Sequence, residues 1–459
     1  MSWLRALAVT SLVCLSACAS VDATRSFGDV EKVVVQRTGQ RPAWARRRDE
    51  TELAERTLDD LLAGELTVDR ATQIAIVNNP SLQATFEEIG ISQADLAQAR
   101  RIENPFFAVS ARFAPSISSA NTELTVIQNV FDLFLQPLRK KVAQVHLEQT
   151  KLRVANEVLE LAARVKEAYF TLQARQQLVE RLRLAVDLTR TSADFARRQG
   201  EAGTLSELDL EIQQALYRES RVELAVTEAE RRADREHLHR LLGLWGVRTE
   251  WRIADSLPDI PREEVSLEGL ESLAIRQRQD LQAARFGVEL VGRALAVRKK
   301  TRWLPVGVHL GIDTEKDIEG ERVSGPTLAL QLPLFDTGKA SIARLEAEHR
   351  RAQRQLEAIA VNARSEVREA RDRMLAARDL ALYYEGILLP QRLRILELTM
   401  RHYNAMFTGA YELLLAKQAV VATERAAVES ARHYWTSRAE LEKALGGALP
   451  GAVSAASER

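Results

Sequence analysis

A histidine pair, two cysteines and three acids that follow helix breaks are the residues of this sequence with chemistry to offer. His237 and His239 stand two apart in a helical stretch, so they point to different sides and do not share a metal. Only Cys18 of the two cysteines lies past a small-residue cleavage site, so neither an intrachain disulfide nor a cysteine metal cage is expected. No Gly-rich phosphate loop is present. The sequence therefore predicts no catalytic residue, no metal site and no cofactor. Glu207, Asp209 and Glu412 follow the breaks Gly200-Glu201-Ala202-Gly203-Thr204 and Met406-Phe407-Thr408-Gly409. Acids there, early in a new helix, are well placed against its dipole.

The first residues carry an address. Arg5, the apolar segment Leu4 to Leu15 and the small residues Ser16 and Ala17 make a signal peptide over 1–17. At about a dozen apolar residues the segment is too short to span a membrane as a stable helix. Leu15-Ser16-Ala17-Cys18 resembles the bacterial lipoprotein box, which implies lipidation of Cys18. Cys14 fits that box worse, because Ser11 stands where leucine belongs. Ala19 and Ser20 follow Cys18 without the acid that in such lipoproteins marks the inner membrane, so the resemblance points to the outer membrane. An ordinary secretory cleavage beside an incidental cysteine is the alternative.

The 459 residues balance 64 basic against 64 acidic side chains, so nothing asks for nucleic acid. Low aromatic content, 5%, with much Ala, Leu, Arg, Glu and Gln favours long helices. Residues 18–64 read as a polar tether with one short helix, and Arg46-Arg47-Arg48 as a solvated patch.

The elements that must carry these residues are written twice. Leu82-Gln83-Ala84 answers Leu281-Gln282-Ala283, and Ala75-Ile76 answers Ala274-Ile275. The copies are expected over 65–246 and 265–447, joined by a linker at 247–264 and followed by a flexible tail at 448–459. Each opens with a helix, the first capped by Thr67 and interrupted at Asn78-Asn79-Pro80, with a longer helix from Ser81 to about Ile102. The pattern then changes to a period of two. Phe107, Val109, Ala111 and Phe113 share one face; in the copy, Leu304, Val306, Val308, Leu310 and Ile312 alternate with Gly307, His309, Gly311 and Asp313, and the return strand sets Leu328, Leu330, Leu332 and Leu334 against Thr327, Ala329, Gln331 and Pro333.

These hairpins, at about 104–134 and 303–336, have strands of roughly ten residues, enough to cross a bilayer when tilted. Polar loops are expected at Ala114 to Asn121 and Thr314 to Ser324. A two-stranded hairpin is marginal alone, and strands in lipid must close into a barrel, so partners from other copies are expected. A soluble sheet lying on a helical core is the alternative. After each hairpin comes a very long helical stretch. From about Arg139 to Arg198 it has no proline or glycine and spans about 90 Å at helical rise. Val158, Leu161, Val165, Ala168, Leu172, Val179, Leu182 and Val186 form its seam, interrupted by Arg175. The second runs from about Lys339 to Asn404 with a kink at Pro390, and the returning helices close at Gly243 and Gly446.

In order and duplication these features resemble the TolC-type outer-membrane efflux proteins, particularly their lipoprotein branch. The resemblance rests on Leu66-Thr67-Val68-Asp69 with Asn78-Asn79-Pro80, on Gln331-Leu332-Pro333-Leu334-Phe335-Asp336-Thr337-Gly338, and on Leu441-Glu442-Lys443-Ala444-Leu445-Gly446-Gly447. It implies a mainly α fold with a small membrane β part: a homotrimer whose chains each give four strands to a twelve-stranded barrel, continued by an α-helical coiled-coil barrel. It also implies an exit duct in the outer membrane, anchored in outer-membrane lipid, served by a periplasmic adaptor protein and an inner-membrane pump of the RND type.

In that family the helix turns dock the adaptor, which here assigns Gly200, Gly203, Thr204, Thr408 and Gly409 to the docking tips. Acids just past the turns ring the closed aperture. Glu412 falls on such a position, Leu415 falls where a second acid is common, and Glu207 and Asp209 hold the comparable place in the first copy. Carboxylates related by threefold symmetry at a constriction favour cations and repel one another. Solvated acids at a helix start are the alternative. A lipid-anchored periplasmic adaptor or coiled-coil scaffold competes with the duct, but predicts a β-rich segment between the helices where two hairpins of membrane length stand. His309 is expected on the barrel interior as a lumen-lining residue. The cargo is not legible.

Overall fold

The computed structural model describes residues 22–113, 120–264, 267–302, 308–316, 321–330 and 336–450. The signal peptide, Cys18, residues 451–459 and the centres of both strand-connecting loops lie outside the described residues, as do Leu304, Val306 and the stretch 331–335.

Helices α1 (Thr24–Thr38) and α2 (Arg48–Leu62) precede α3 (Val68–Asn78) and α4 (Pro80–Ala99). Strands β1 (Phe106–Phe113) and β2 (Ala120–Asn129) lead into α5 (Phe131–Glu201) and α6 (Glu207–Leu242). The second half repeats this order as α7 (Leu270–Gln277), α8 (Gln279–Thr301), β3 (Val308–Lys316) and β4 (Arg322–Leu330). It ends with α9 (Lys339–Tyr383), a π-helical turn (Tyr384–Leu388), α10 (Leu389–Asn404) and α11 (Ala410–Leu445).

Two compact units emerge. One combines the described part of Met1–Val30 with Phe86–Val154 and Asp280–Ile359; the other combines Glu31–Thr85, Ala155–Gln279 and the described part of Ala360–Arg459.

The first unit holds the sheet, a four-stranded antiparallel meander in the order β1-β2-β3-β4. Its register sorts the side chains by chemistry. Phe107 lies opposite Val126, Val126 opposite Ile312, and Leu310 opposite Leu328, so a period of two gathers Phe107, Val109, Leu124, Val126, Leu310, Ile312, Leu328 and Leu330 on one face, while Phe106, Ile127 and Val323 fall on the other. That face is bare: Phe107, Val109, Ile312 and Leu328 are each about 60% exposed. On the other face polar side chains bond across the strands. Ser110 donates to Glu123 at 3.1 Å, Arg112 to Glu123 at 2.8 Å, and Thr125 to Asp313 at 3.1 Å. His309 sits on this polar face, opposite Asn129 and Ala329.

Gly311 lies where β2 and β3 join the two halves. A Cβ there would come within 2.3 Å of the Val126 carbonyl oxygen, so only glycine fits the approach of the two backbones.

The second unit is helical. The seam residues Val158, Leu161, Val165, Ala168, Leu172, Val179 and Leu182 of α5 are buried, while Val186 is half-buried. Arg175, which interrupts the seam, is paired with Glu230 at 2.9 Å and Asp234 at 3.3 Å, both on α6. In the second half Leu270, Val367, Met374, Tyr434, Leu441 and Leu445 form one core.

Several boundaries differ from the sequence reading. The segment expected as a tether with one short helix contains two helices, with buried apolar side chains at Val30, Val34 and Leu58 and, between the helices, at Trp44. Helix α4 starts at Pro80 and ends at Ala99, rather than running from Ser81 to Ile102. Helix α5 begins at Phe131 rather than Arg139, with Pro137 inside its first two turns. Strands β3 and β4 run to Lys316 and from Arg322, taking in both ends of the expected loop Thr314 to Ser324.

The kink expected at Pro390 takes the form of the π turn just before it, whose wider coil relieves the clash of a proline ring with the preceding turn. The linker at 247–264 is tied down: Gln173 donates to the Ser256 carbonyl at 2.7 Å and Trp435 to the Pro258 carbonyl at 3.1 Å. The expected tail starts with Leu449 fully buried in the second-half core.

Candidate functional site

Both helix turns are built on one backbone motif. In the first, the Thr204 amide donates to the Gln199 carbonyl at 2.9 Å and Gly203 takes φ +73°. In the second, the Phe407 amide donates to the His402 carbonyl at 2.9 Å and Met406 takes φ +62°. Such a six-to-one bond closed by a left-handed residue satisfies the last carbonyls of a helix, and glycine is the residue that adopts it without strain. Met406 is the one non-glycine with positive φ among the described residues.

The helices that follow start differently. Ser206 caps α6, accepting from the Asp209 amide at 3.1 Å while its hydroxyl donates to the Asp209 carboxylate at 2.7 Å. The Ser206 hydroxyl is thus shared between the Asp209 amide and the Asp209 carboxylate, which gives Asp209 structural work at the helix start. Gly409 starts α11 without a side-chain cap. A Cβ at Gly409 would lie 3.1 Å from the Glu412 Oε2, which puts that carboxylate over the uncapped helix start. Asp209 and Glu412 are each the third residue of their helix, which fixes the register between the copies. Glu207 is a first residue; its counterpart is Ala410.

The expected tip residues thus collect in two turns. Glu207, Asp209 and Glu412 are all exposed. Asp209 borders a cavity of about 310 Å³ that Phe195, Leu205, Tyr403 and Tyr411 also line; Glu207 and Glu412 do not. Thr204 donates its hydroxyl to the Gln199 carbonyl at 3.0 Å, whereas the buried Thr408 hydroxyl has no partner among the described residues. Beside them Met406 and Phe407 are 93% and 80% exposed.

The histidines do not converge. His239 is buried edge-on against Trp251, with ring centroids 5.2 Å apart, and His237 is exposed. Among the described residues no cluster of His, Cys, Asp and Glu could hold a metal ion. No described helix is long and apolar enough to cross a membrane.

Asn78-Asn79-Pro80 is expected as a helix break. The structure shows that these residues also close the repeat. The Asn78 amide donates to the Leu242 and Gly243 carbonyls at 2.9 and 2.8 Å, and the Asn79 amide to the Leu241 carbonyl at 2.8 Å. Gly243, at φ +68°, has no room for a side chain, since a Cβ would meet the Asn78 carbonyl oxygen at 2.7 Å. In the second half Arg278 stands at the end of α7, pairs with Glu366 and reaches the Ala444 carbonyl at 3.4 Å. The pairing of a polar break with Leu-Gly some 160 residues later was the signal available in the sequence.

The sequence model of the outer membrane efflux protein family matches residues 71–244 and 270–447. The cobalt-zinc-cadmium resistance protein CzcC of Cupriavidus metallidurans is 24% identical over 295 residues, which cover 61% of this chain and 66% of that relative. Among solved structures, the outer membrane channel CmeC of Campylobacter jejuni aligns over 85% of this chain and 88% of its own at 16% identity, with a TM-score of 0.71. The open state of the outer membrane channel MtrE of Neisseria gonorrhoeae aligns over 83% and 89% at 18% identity, with a TM-score of 0.67. At these identities the structural likeness establishes the fold.

Proposed function

The chain belongs to the outer membrane efflux protein family, and on that premise we propose that three copies close into a passive exit duct anchored by a lipid on Cys18. Its place is the outer membrane and its role is efflux. The observation that carries the duct is the sheet, with one face bare and apolar and the other polar and cross-linked by its own side chains. Edges β1 and β4 are unpaired among the described residues, and lipid tolerates no open edge. Four strands are too few for a barrel; twelve from three chains suffice.

In the assembled duct the polar face lines the lumen. Glu123, Asp313 and Glu315 give it acids, while no energy-converting site is proposed; an inner-membrane pump of the RND type drives transport and a periplasmic adaptor docks at the two turns. The exposed Met406 and Phe407 suit the second turn to such docking. Glu412, repeated three times, forms the selective ring at the aperture. The relative CzcC is a cobalt-zinc-cadmium resistance protein, and divalent cations are a cargo that an acid-bearing lumen passes. The chain has no catalytic role in this reading.

Single cysteines at neighbouring sheet positions test the membrane assignment. With the trimer in vesicles, a water-soluble maleimide should label Asp313→Cys quickly and Ile312→Cys slowly. Equal labelling of the two, or the reverse order, would overturn the duct.

A further inference from the structure

The chain has no net charge, yet its basic residues are unevenly placed. The ends of the strands that lead to helices, rather than to loops, are flanked by exposed cations: Arg100 and Arg101 just before β1, Lys140 and Lys141 early in α5, and Lys299 and Lys300 at the end of α8. Of these six, only Lys299 has an acidic partner among the described residues, Glu346 at 2.6 Å. Helix-end electrostatics accounts for cations at the ends of α4 and α8. It does not account for Lys140 and Lys141, which lie near the start of their helix.

Next to these cations stand exposed aromatics. Phe107 and Phe134 are 62% and 72% exposed, as in the aromatic girdle at the edge of a membrane barrel. Between α4, α5 and α8 runs a groove of about 520 Å³ with an apolar floor of Val142, Leu290, Ala294 and Val297. Arg139 and Arg298 stand at it, with Asp95 of α4 and His146 of α5 also on its walls. Arg139 is held by Asp132 and Glu103. The Arg298 guanidinium has no hydrogen-bond or ion-pair partner among the described residues, and its Nε is buried without one.

We propose that this collar binds anionic phospholipid of the inner leaflet of the outer membrane, with a headgroup phosphate on Arg298 and an acyl chain in the groove. The inference rests on the duct reading, which puts the helical ends of the strands at the periplasmic boundary. The chemistry follows from the side chains. A guanidinium without a carboxylate is matched by a phosphate, which accepts two parallel hydrogen bonds from it. Lysines on flexible stems reach the same depth from neighbouring helices and add attraction that falls off within a Debye length. The groove's apolar floor takes what the phosphate does not. Inner-leaflet lipid would then hold the barrel at a fixed depth where strands give way to helices.

The test uses the full-length trimer in neutral detergent, titrated with phosphatidylglycerol, phosphatidylcholine and lipid A, with bound lipid counted by native mass spectrometry. Phosphatidylglycerol should bind about tenfold more tightly than phosphatidylcholine at low ionic strength, and the preference should shrink in about 0.5 M salt. Arg298→Gln should reduce the preference severalfold. The combined change of Lys140, Lys141, Lys299 and Lys300 to Gln should nearly abolish it, while both variants stay trimeric and conduct as before. No preference in the wild type, an undiminished preference in the variants, or stronger binding of lipid A would overturn the proposal. So would loss of the trimer on Arg298→Gln, which would make the groove a contact between copies. A conducting trimer without lipid preference counts against the collar alone; a wild type that neither trimerises nor conducts counts against the duct.

Discussion

Asp209 and Glu412 occupy the same position in the two helix turns, third in the following helix, yet only Asp209 has a serine to bond with. The duplication therefore supplies two acids with different occupations. Asp209 is committed to the Ser206 hydroxyl, while Glu412 lies over a helix start without a side-chain cap. Two changes separate the roles. Glu412→Gln should lower the cation preference of the duct in reversal-potential measurements with little effect on melting. Asp209→Asn should change selectivity less and cost up to about 1 kcal/mol of helix-start stability.

The left-handed methionine is a second difference between the turns. A non-glycine residue at positive φ costs on the order of 1 kcal/mol, so Met406→Gly should raise the melting temperature. If the exposed Met406 side chain contributes to docking, the same variant should bind the adaptor more weakly. Unchanged adaptor affinity would remove Met406 from the docking surface, and a lowered melting temperature would remove the strain argument.

Closure of the first repeat depends on Asn78 and Gly243. Asn78→Ala removes two hydrogen bonds to the end of α6 and should destabilise by about 1–3 kcal/mol. Gly243→Ala should cost more, because a Cβ would press on the Asn78 carbonyl in a backbone conformation that L residues avoid. Denaturant midpoints of the two variants, measured in detergent, check the order.

Between the halves, Gly311→Val should prevent β3 from pairing closely with β2, since the added side chain would overlap the Val126 carbonyl. The expected outcome is loss of heat-stable trimer on gels with the helical circular dichroism largely kept. A heat-stable trimer from this variant would show that the β2–β3 seam tolerates a wider separation.

Tyr169 makes part of the stability depend on alkaline pH. Burial, with help from Glu65 and Asp69, pushes its phenol up to about 12, and its hydroxyl donates to the Leu66 carbonyl at 2.8 Å. A folded-state value raised above the ordinary phenol range means that the contribution is complete below about pH 10 and is lost as pH rises through about 12. Tyr169→Phe should be less stable than wild type at neutral pH by about 1 kcal/mol, and the gap should narrow across that window. A constant gap would contradict the assignment.

Much of this fold is legible in the residues because its periods are strong. Alternation at Phe107, Val109 and Phe113, and again at Leu310 and Ile312, specifies a face that the cross-strand register then assembles. The seam of α5 is equally plain, and its interruption at Arg175 has a local reason in Glu230 and Asp234. The two N-terminal helices were hidden for a physical reason. Few of their residues are buried, and Arg48–Leu62 mixes its leucines with many charged residues, so the apolar stripe is too thin to stand out from a polar tether. Contacts between distant segments, such as Asn78 with Leu242, leave no periodic trace at all. The acids past the turns were visible, but the register that pairs Asp209 with Glu412 and leaves Glu207 beside Ala410 comes from the backbone of the turns.

The central claim is that this chain makes an aqueous path through the outer membrane by lending its four strands to a shared barrel. Purified protein added to planar bilayers tests it most directly. The account predicts a detergent-dependent, heat-stable trimer that inserts in unit steps of ion conductance, with cations favoured and the preference reduced by Glu412→Gln. A product that stays soluble without detergent, remains monomeric and leaves the bilayer insulating would contradict it.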